Sequence, residues 1–140
     1  AFSLAPLKTR QSVEWLGDLV QFLKTQPRQV IFTDPITSYV LRGLTSQILP
    51  GQKFYAHTSG IDFRQIAQEE LLARFGDGLV VLNFRDGPDS KVTQALNHWD
   101  KKELMVTRFY PTGLRVNLDD QGFTLIWSNE KVFVYSHQSS

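Results

Sequence analysis

The residues of this 140-residue chain that could do chemistry follow three short apolar runs. Thr33, Asp34, Thr37 and Ser38 follow the first run, His57, Thr58, Ser59 and Asp62 the second, and Asn83, Arg85 and Asp86 the third. If the three runs are parallel strands, these side chains meet at one edge of a sheet, where α/β proteins usually bind ligands. Unpaired N–H groups at the helix starts would favour an anionic group, and Arg85 would add positive charge. The pattern predicts a site for a small polar or anionic ligand.

The same residue types also have structural uses, and that reading stays open. Asp34 and Asp62 stand where helix N-caps are expected. Thr37, Ser38 and Ser59 could simply satisfy backbone groups near them. Capping and local hydrogen bonding would then explain the whole set without a ligand.

Catalytic, metal and cofactor chemistry finds little support. His57 could pair with Asp34, Asp62 or Asp86 as a metal site or an acid–base pair, but the spacing is not diagnostic. Ser59 beside His57 lacks the Gly-x-Ser-x-Gly elbow of a nucleophile. The chain has no cysteine, no Gly-x-Gly-x-x-Gly and no Gly-x-x-x-x-Gly-Lys. We therefore assign no catalytic residue, no metal ligand and no cofactor.

The elements that would position the candidate site begin with an apolar run over 30–32, typical of a strand buried on both faces. Asp34-Pro35 then predicts a helix start, with Ile36, Tyr39, Val40 and Leu44 facing the sheet. A second strand is predicted over 53–57, a loop over 58–60, and a helix from there to Gly76 that carries Phe63 and Phe75. The run 79–84 is a strand bounded by Gly78 and a turn. Further helices are predicted from Ser12 to the Gln26-Pro27 boundary and from Ser90 to Trp99.

The last third is predicted to be all strand. The segments 104–110 and 114–118 are strand-like, and 123–135 alternates as a β-hairpin does. The fold class is therefore α/β, a three-layer sandwich with a mostly parallel sheet of about five to six strands and an antiparallel C-terminal hairpin. No linker or repeat divides residues 1–140, so a single domain is expected.

Composition narrows the class of partner. The chain is 41% hydrophobic and 21% charged with a net charge of +1, as in ordinary globular proteins. Lys and Arg are scattered, so nucleic acid is not an expected partner. No run approaches the ~18 apolar residues of a membrane span. Residue 1 is Ala and the one Met is Met105, which fits either a processed chain or a piece of a longer one.

One stretch resembles a known family. Asp34, Pro35, Thr37, Ser38 and Tyr39 match the Asp-Pro-x-Thr-Ser-Tyr segment in the C-terminal domain of polytopic membrane glycosyltransferases that use polyprenyl-phosphate sugars. The closing stretch 123–135 is similar to the strand pair that ends such domains. In that family the following helix ends near Ala-Leu-Thr-Gly, and Gly43-Leu44-Thr45-Ser46 departs from this pattern.

The resemblance implies a role outside catalysis. In such enzymes the sugar-transfer carboxylate belongs to the membrane portion, so this domain would lie on the extracytoplasmic side of the cytoplasmic membrane. Its partners would be a glycan, a polyprenyl-phosphate sugar acceptor or the membrane portion of the same polypeptide. A freestanding protein would instead be cytoplasmic.

The leading hypothesis is thus a non-catalytic binding domain. A small hydrolase or transferase using His57 with a nearby Asp or Ser is the first alternative. A protein–protein interaction module is the second, and it predicts an exposed apolar patch around Phe133 and Tyr135.

Overall fold

The computed structural model describes residues 6–27, 30–48, 57–85 and 108–137. Several predictions fall outside these residues and are not compared: Asp86, the helix from Ser90, and the predicted strand segments 53–56 and 104–107. Helices and strands are numbered below in chain order over the described residues.

Five strands form one mixed sheet in the order β2-β1-β3-β5-β4. The strands are β1 (Val30–Thr33), β2 (His57–Gly60), β3 (Leu79–Asn83), β4 (Phe123–Asn129) and β5 (Val132–His137). β1 runs parallel to both β2 and β3. β5 is antiparallel to β3 and to β4, so the C-terminal hairpin joins the sheet beside β3.

Helices connect and cover the strands. They are α1 (Pro6–Lys24), α2 (Pro35–Ile48), two 3-10 turns (Phe63–Gln65 and Gln68–Glu70), α3 (Leu71–Phe75) and α4 (Leu114–Asp120). α1 begins six residues before the expected cap at Ser12 and ends at Lys24, close to the predicted boundary. Pro35 is the first residue of α2 and follows Asp34, as predicted.

Strand β3 is buried along its whole length, and its alternate residues belong to two different hydrophobic clusters. Leu79 and Val81 belong to a cluster with α1 residues such as Leu19, and Val80 and Leu82 belong to another with Phe75 of α3. Because successive side chains of a strand point to opposite faces, helices contribute to burial on both faces of β3.

The α/β class, the five strands and the antiparallel C-terminal hairpin are confirmed. The expectation of a mostly parallel sheet is not, because two neighbouring pairs are parallel and two are antiparallel. The difference arises at β5, which lies between β3 and β4 and is antiparallel to both.

The predicted loop over 58–60 is wrong, because these residues complete β2. Thr58, Ser59 and Gly60 pair in register with Ile31, Phe32 and Thr33 of β1. Small polar residues are common in turns, which explains the error. Here a small residue is needed inside the strand, since a Cβ on Gly60 would lie 2.7 Å from Pro35 Cα.

The predicted continuous helix up to Gly76 is also wrong. Ile66 and Ala67 have extended backbones that separate the 3-10 turns. The rings of Phe63 and Phe75 lie 5.5 Å apart, whereas residues twelve apart in one helix would be separated by roughly 18 Å along its axis. The chain folds back so that both rings enter the same core.

The predicted strand over 114–118 is helix α4, and Arg108 and Phe109, within the predicted strand 104–110, are also helical. Leu114 and Leu118 are buried while Val116 is 61% exposed. Apolar residues at i, i+2 and i+4 fit a strand, but i and i+4 alone also fit one face of a helix.

Candidate functional site

The carboxyl ends of β1 and β3 lie side by side and form a topological switch point. From β1 the chain passes through α2 to β2 on one side, and β3 then pairs on the other side of β1. In open α/β sheets the crevice between such diverging connections is the usual ligand site. Thr33 ends β1 and Asn83 ends β3, so the first and third predicted groups of polar residues meet here.

Asp34 caps α2 and is fully buried. Its Oδ1 accepts hydrogen bonds from the backbone N–H groups of Ile36 at 3.0 Å and Thr37 at 2.8 Å. Asp and Pro at these two positions form the sequence signature of a helix start. The capping role is confirmed, and the N–H groups that the sequence analysis offered to an anion are occupied by Asp34.

A buried network extends from this cap to β3. Asp34 Oδ2 accepts hydrogen bonds from the hydroxyls of Thr37 and Tyr110. Thr37 Oγ1 accepts one from Asn83 Nδ2 at 3.0 Å, and the Tyr110 hydroxyl accepts one from the Asn83 backbone N–H at 3.0 Å. Asn83 Oδ1 in turn accepts from the backbone N–H of Arg85 at 2.9 Å. We call Asp34, Thr37, Asn83 and Tyr110 the rim network.

Tyr110 stays protonated within the rim network. Burial raises the pKa of Tyr110 well above 10.0, and the neighbouring Asp34 carboxylate raises it further by repulsion and by accepting the phenol proton. The phenol therefore remains a donor to Asp34 at neutral pH. Within the described ranges, two hydroxyls and two backbone N–H groups satisfy the buried carboxylate, and no arginine or lysine takes part.

Two hydroxyls beside the network are buried with unused hydrogen-bonding capacity. Thr33 Oγ1 and Ser38 Oγ have no close hydrogen-bond partner among the described residues, and a weak hydrogen bond from Thr33 lowers the pKa of Tyr110 against the larger raising effects. Most buried polar side chains in proteins are paired. These hydroxyls retain hydrogen-bonding capacity at the end of β1.

Arg85 stands at the same edge, two residues after β3. Its guanidinium lies 5.2 Å from the centroid of the Trp15 ring, and its Nη1 is 3.0 Å from Glu130 Oε2 in the hairpin turn. The arginine is thus held against α1 and β4–β5. Its charge is partly compensated by Glu130, whose side chain is 73% exposed.

The second predicted group is spread along β2. His57 pairs with Val30 at the amino ends of the strands, and Gly60 pairs with Thr33 at the carboxyl ends. Three residues of strand separate His57 from that edge by about 10 Å. His57 is exposed and Ser59 is half-buried within the strand. The structure does not bring His57 into the rim network.

Asp62 has the capping role offered as its structural alternative. It accepts from the backbone N–H of Arg64 at 3.0 Å and forms a 3.2 Å ion pair with that side chain. The Arg64 hydrogen bond lowers the pKa of Asp62 despite partial burial. These contacts account for Asp62 without a ligand.

Tyr110 is the site residue that the sequence analysis missed. It lies 76 residues from Asp34 and was placed in a predicted strand. Its one sequence signal is the following Pro111, which marks a break but no contact. Long-range hydrogen bonds between single residues leave no periodic pattern to detect.

The rim network suits positioning better than acid–base chemistry. Both carboxylate oxygens of Asp34 already accept two hydrogen bonds each. Over the described ranges, no three His, Cys, Asp or Glu side chains are close enough together to hold a metal ion. The geometry fixes the carboxyl ends of β1 and β3 relative to each other.

Comparison of the chain with protein-family models, with curated proteins and with solved structures gives no match. None of the helices within the described parts of the chain combines the length and apolar character needed to cross a membrane.

Proposed function

We propose that this chain is a non-catalytic binding domain of three-layer α/β architecture. Its recognition surface is the edge formed by the carboxyl ends of β1 and β3, and its ligand is a small polar or anionic molecule, a glycan or a polar partner surface. The observation that carries the proposal is the rim network at the topological switch point.

The network supports binding because it fixes the ends of two strands before a ligand arrives. Asp34 and Thr37 follow β1, Asn83 ends β3, and Tyr110 joins them. Ordering a segment during binding costs free energy, so a surface already held by buried hydrogen bonds binds with less loss. A network that is fully bonded has little capacity left for proton transfer, which favours recognition over catalysis.

The hydroxyls of Thr33 and Ser38 give this edge a way to contact a polar ligand. Thr33 ends β1 and Ser38 lies in the first turn of α2, and both side chains are buried. A water that bridges such hydroxyls to a ligand would satisfy both sides. Hydroxyl-rich ligands such as glycans make many contacts of this kind.

The resemblance of 34–39 to polyprenyl-phosphate glycosyltransferases gives the proposal a setting. The domain would be the extracytoplasmic part of a membrane glycosyltransferase-like protein. It would hold a glycan or acceptor, or dock on the membrane portion of the same polypeptide. Asp34, Thr37 and Ser38 are buried, which supports a structural role for this segment beside the proposed site.

A titration of the isotopically labelled chain with short glycans and sugar phosphates, followed by amide NMR, tests the proposal. We expect saturable shifts over 33–38 and 83–85. Arg85→Gln should weaken binding, while Arg42→Gln, the same change at an exposed position of α2, should not. His57→Ala should bind normally because it lies at the opposite end of β2. Shifts confined to other surfaces would contradict the assignment, as would a loss of binding in His57→Ala.

A further inference from the structure

Most cationic and donor groups near the rim are already engaged. The Ile36 and Thr37 N–H groups bind Asp34. Arg85 faces Glu130 at 3.0 Å, and Arg64 faces Asp62 at 3.2 Å. Arg85, whose charge Glu130 only partly compensates, would therefore bind a negatively charged ligand group more strongly with the help of a second cation.

Arg115, on α4, is held in place and has no acidic partner among the described residues. Its Cζ lies 3.7 Å from the centroid of the Phe133 ring, and its Nε donates to the Tyr135 hydroxyl at 2.7 Å. Tyr135 is 1% exposed, so the hydrogen bond anchors the guanidinium to the core. The patch around Phe133 and Tyr135 that the interaction-module alternative predicted is not exposed in this form, since Arg115 covers Phe133.

The position of Arg115 is tied to the rim through Phe133. Phe133 of β5 pairs with Leu82 of β3, and Leu82 is the residue before Asn83. The Phe84 ring lies 5.8 Å from that of Phe133 and 4.9 Å from that of Tyr110. A row of aromatic rings therefore runs from the rim network to Arg115.

The remaining donors of Arg115 suit an oxyanion. A guanidinium has five N–H groups, and the one hydrogen bond that Arg115 makes to the described residues uses the N–H on Nε. The two terminal nitrogens keep four N–H groups in a planar fork that matches a carboxylate or a phosphate. Asp119, one helical turn later, forms no ion pair with Arg115 within the described chain.

We propose that Arg115, oriented by Phe133 and Tyr135, binds the oxyanion of a carboxylate or phosphate group. This inference rests on the proposed function. Arg115 would bind the charged group of a ligand that also contacts the edge formed by the carboxyl ends of β1 and β3. The aromatic stack and the Tyr135 bond reduce the side-chain entropy that an exposed arginine would lose on binding.

The test uses inorganic phosphate and acetate as probes, at constant ionic strength with chloride as the reference salt. The Nε–H signals of the arginine side chains are followed by NMR, because the Nε–H bond to Tyr135 should protect the Arg115 signal from exchange. We expect the Arg115 signal to shift and to reach saturation at millimolar concentrations of at least one probe. A stronger response to phosphate than to acetate would identify a phosphate-type ligand, and the reverse a carboxylate.

Three variants make the test specific. Neither Arg115→Gln nor Arg115→Lys keeps the Nε–H signal of Arg115, so probe binding to every variant is followed by the backbone amide signals of residues 115, 133 and 135. Arg115→Gln should weaken probe binding about tenfold or more, as expected for loss of a charged hydrogen-bond donor, and Arg115→Lys should restore part of it. Arg74→Gln removes the same charge from an exposed site on α3 and should leave binding unchanged. Urea unfolding of each variant separates binding from stability, since a purely structural arginine would change stability alone.

An equal, unsaturable response of Arg115 and Arg74 would overturn the inference, as would unchanged probe binding in Arg115→Gln. The proposed function fails separately. Glycan-induced shifts over 33–38 and 83–85 without any Arg115 response would keep the binding edge and remove Arg115 from it. An Arg115 response to the probes with no glycan-induced shifts over 33–38 and 83–85 would keep Arg115 as an oxyanion site and contradict the proposed binding edge.

Discussion

At the scale of single residues, the fold depends on a buried carboxylate that has no cationic partner in the part of the chain that the structure describes. Asp34 is fully buried, and its oxygens accept from two backbone N–H groups and two hydroxyls. The cap could be predicted from Asp34-Pro35 because capping is local. The hydroxyl donors could not, since Tyr110 comes from a distant part of the chain.

Tyr110→Phe should destabilise the fold by about 1–3 kcal/mol. The change removes one donor to Asp34 and leaves the Asn83 backbone N–H unpaired at the end of β3. Urea unfolding measures the free energy. Tyr39→Phe is the matched control, because Tyr39 is 74% exposed, and it should change little. Equal stability of the two variants would contradict the role given to the rim network.

Alkaline pH should destabilise the protein through the same hydroxyl. The pKa of Tyr110 in the fold is raised well above 10.0, and in the unfolded chain it returns to about 10. Below that pH both states keep the proton and the contribution is complete. Above it the unfolded chain loses the proton first, so stability falls as pH rises toward the folded pKa.

Unfolding in urea between about pH 9 and pH 11 checks this expectation. The loss of stability should be smaller in Tyr110→Phe than in the parent chain. An ultraviolet titration should also show a component of tyrosine ionisation that appears only when the fold opens and that is missing in Tyr110→Phe. A parent and variant with parallel pH profiles would show that another group is responsible.

At the scale of elements, the strands with an unambiguous hydrophobic pattern could be predicted from the sequence. Strand β3 is a continuous apolar run, and the hairpin alternates over 123–135, and both are present. Helix α4 was mistaken for a strand because Leu114, Val116 and Leu118 fit either period. On α2, Tyr39 was expected to face the sheet but is exposed, while Thr37, Ser38 and Leu41 are buried. Hydrophobicity cannot reveal that stripe, because two of its members are polar.

The contact between β2 and α2 gives a prediction at this scale. Gly60→Ala should cost about 1–3 kcal/mol, because its Cβ would meet the backbone of Pro35 at 2.7 Å and neither element can move without disturbing the β1–β2 pairing. Thermal or urea unfolding measures the cost. Ser59→Ala, at the half-buried neighbouring position, should change stability much less. A neutral Gly60→Ala would mean that the two elements separate easily.

At the scale of the whole molecule, one sheet is shared by two hydrophobic clusters. Neither cluster is complete without β3, since Val81 packs into one and Val80 into the other. The composition predicted a single globular domain but could not predict which helices cover which face. That assignment depends on strand order, which no local pattern records.

The shared strand predicts one cooperative unfolding transition. Leu19→Ala in the first cluster and Phe75→Ala in the second should each cost about 3–5 kcal/mol and shift the same transition. Tryptophan fluorescence includes the first cluster through Trp15 and Trp127, two of the three tryptophans of the chain, and far-ultraviolet circular dichroism reports the whole chain. The two signals should coincide in both variants. Separate transitions would show that the clusters fold independently.

The Tyr110–Asp34 hydrogen bond spans 76 positions along the chain, and this separation has a kinetic consequence. Contacts between distant segments require a large loop to close, so they tend to form after nearby segments have assembled. A bond made after the barrier to folding affects mainly the rate at which the native state is lost. Tyr110→Phe should then refold almost as fast as the parent chain and unfold several-fold faster, making this phenol a determinant of how long the folded state lasts.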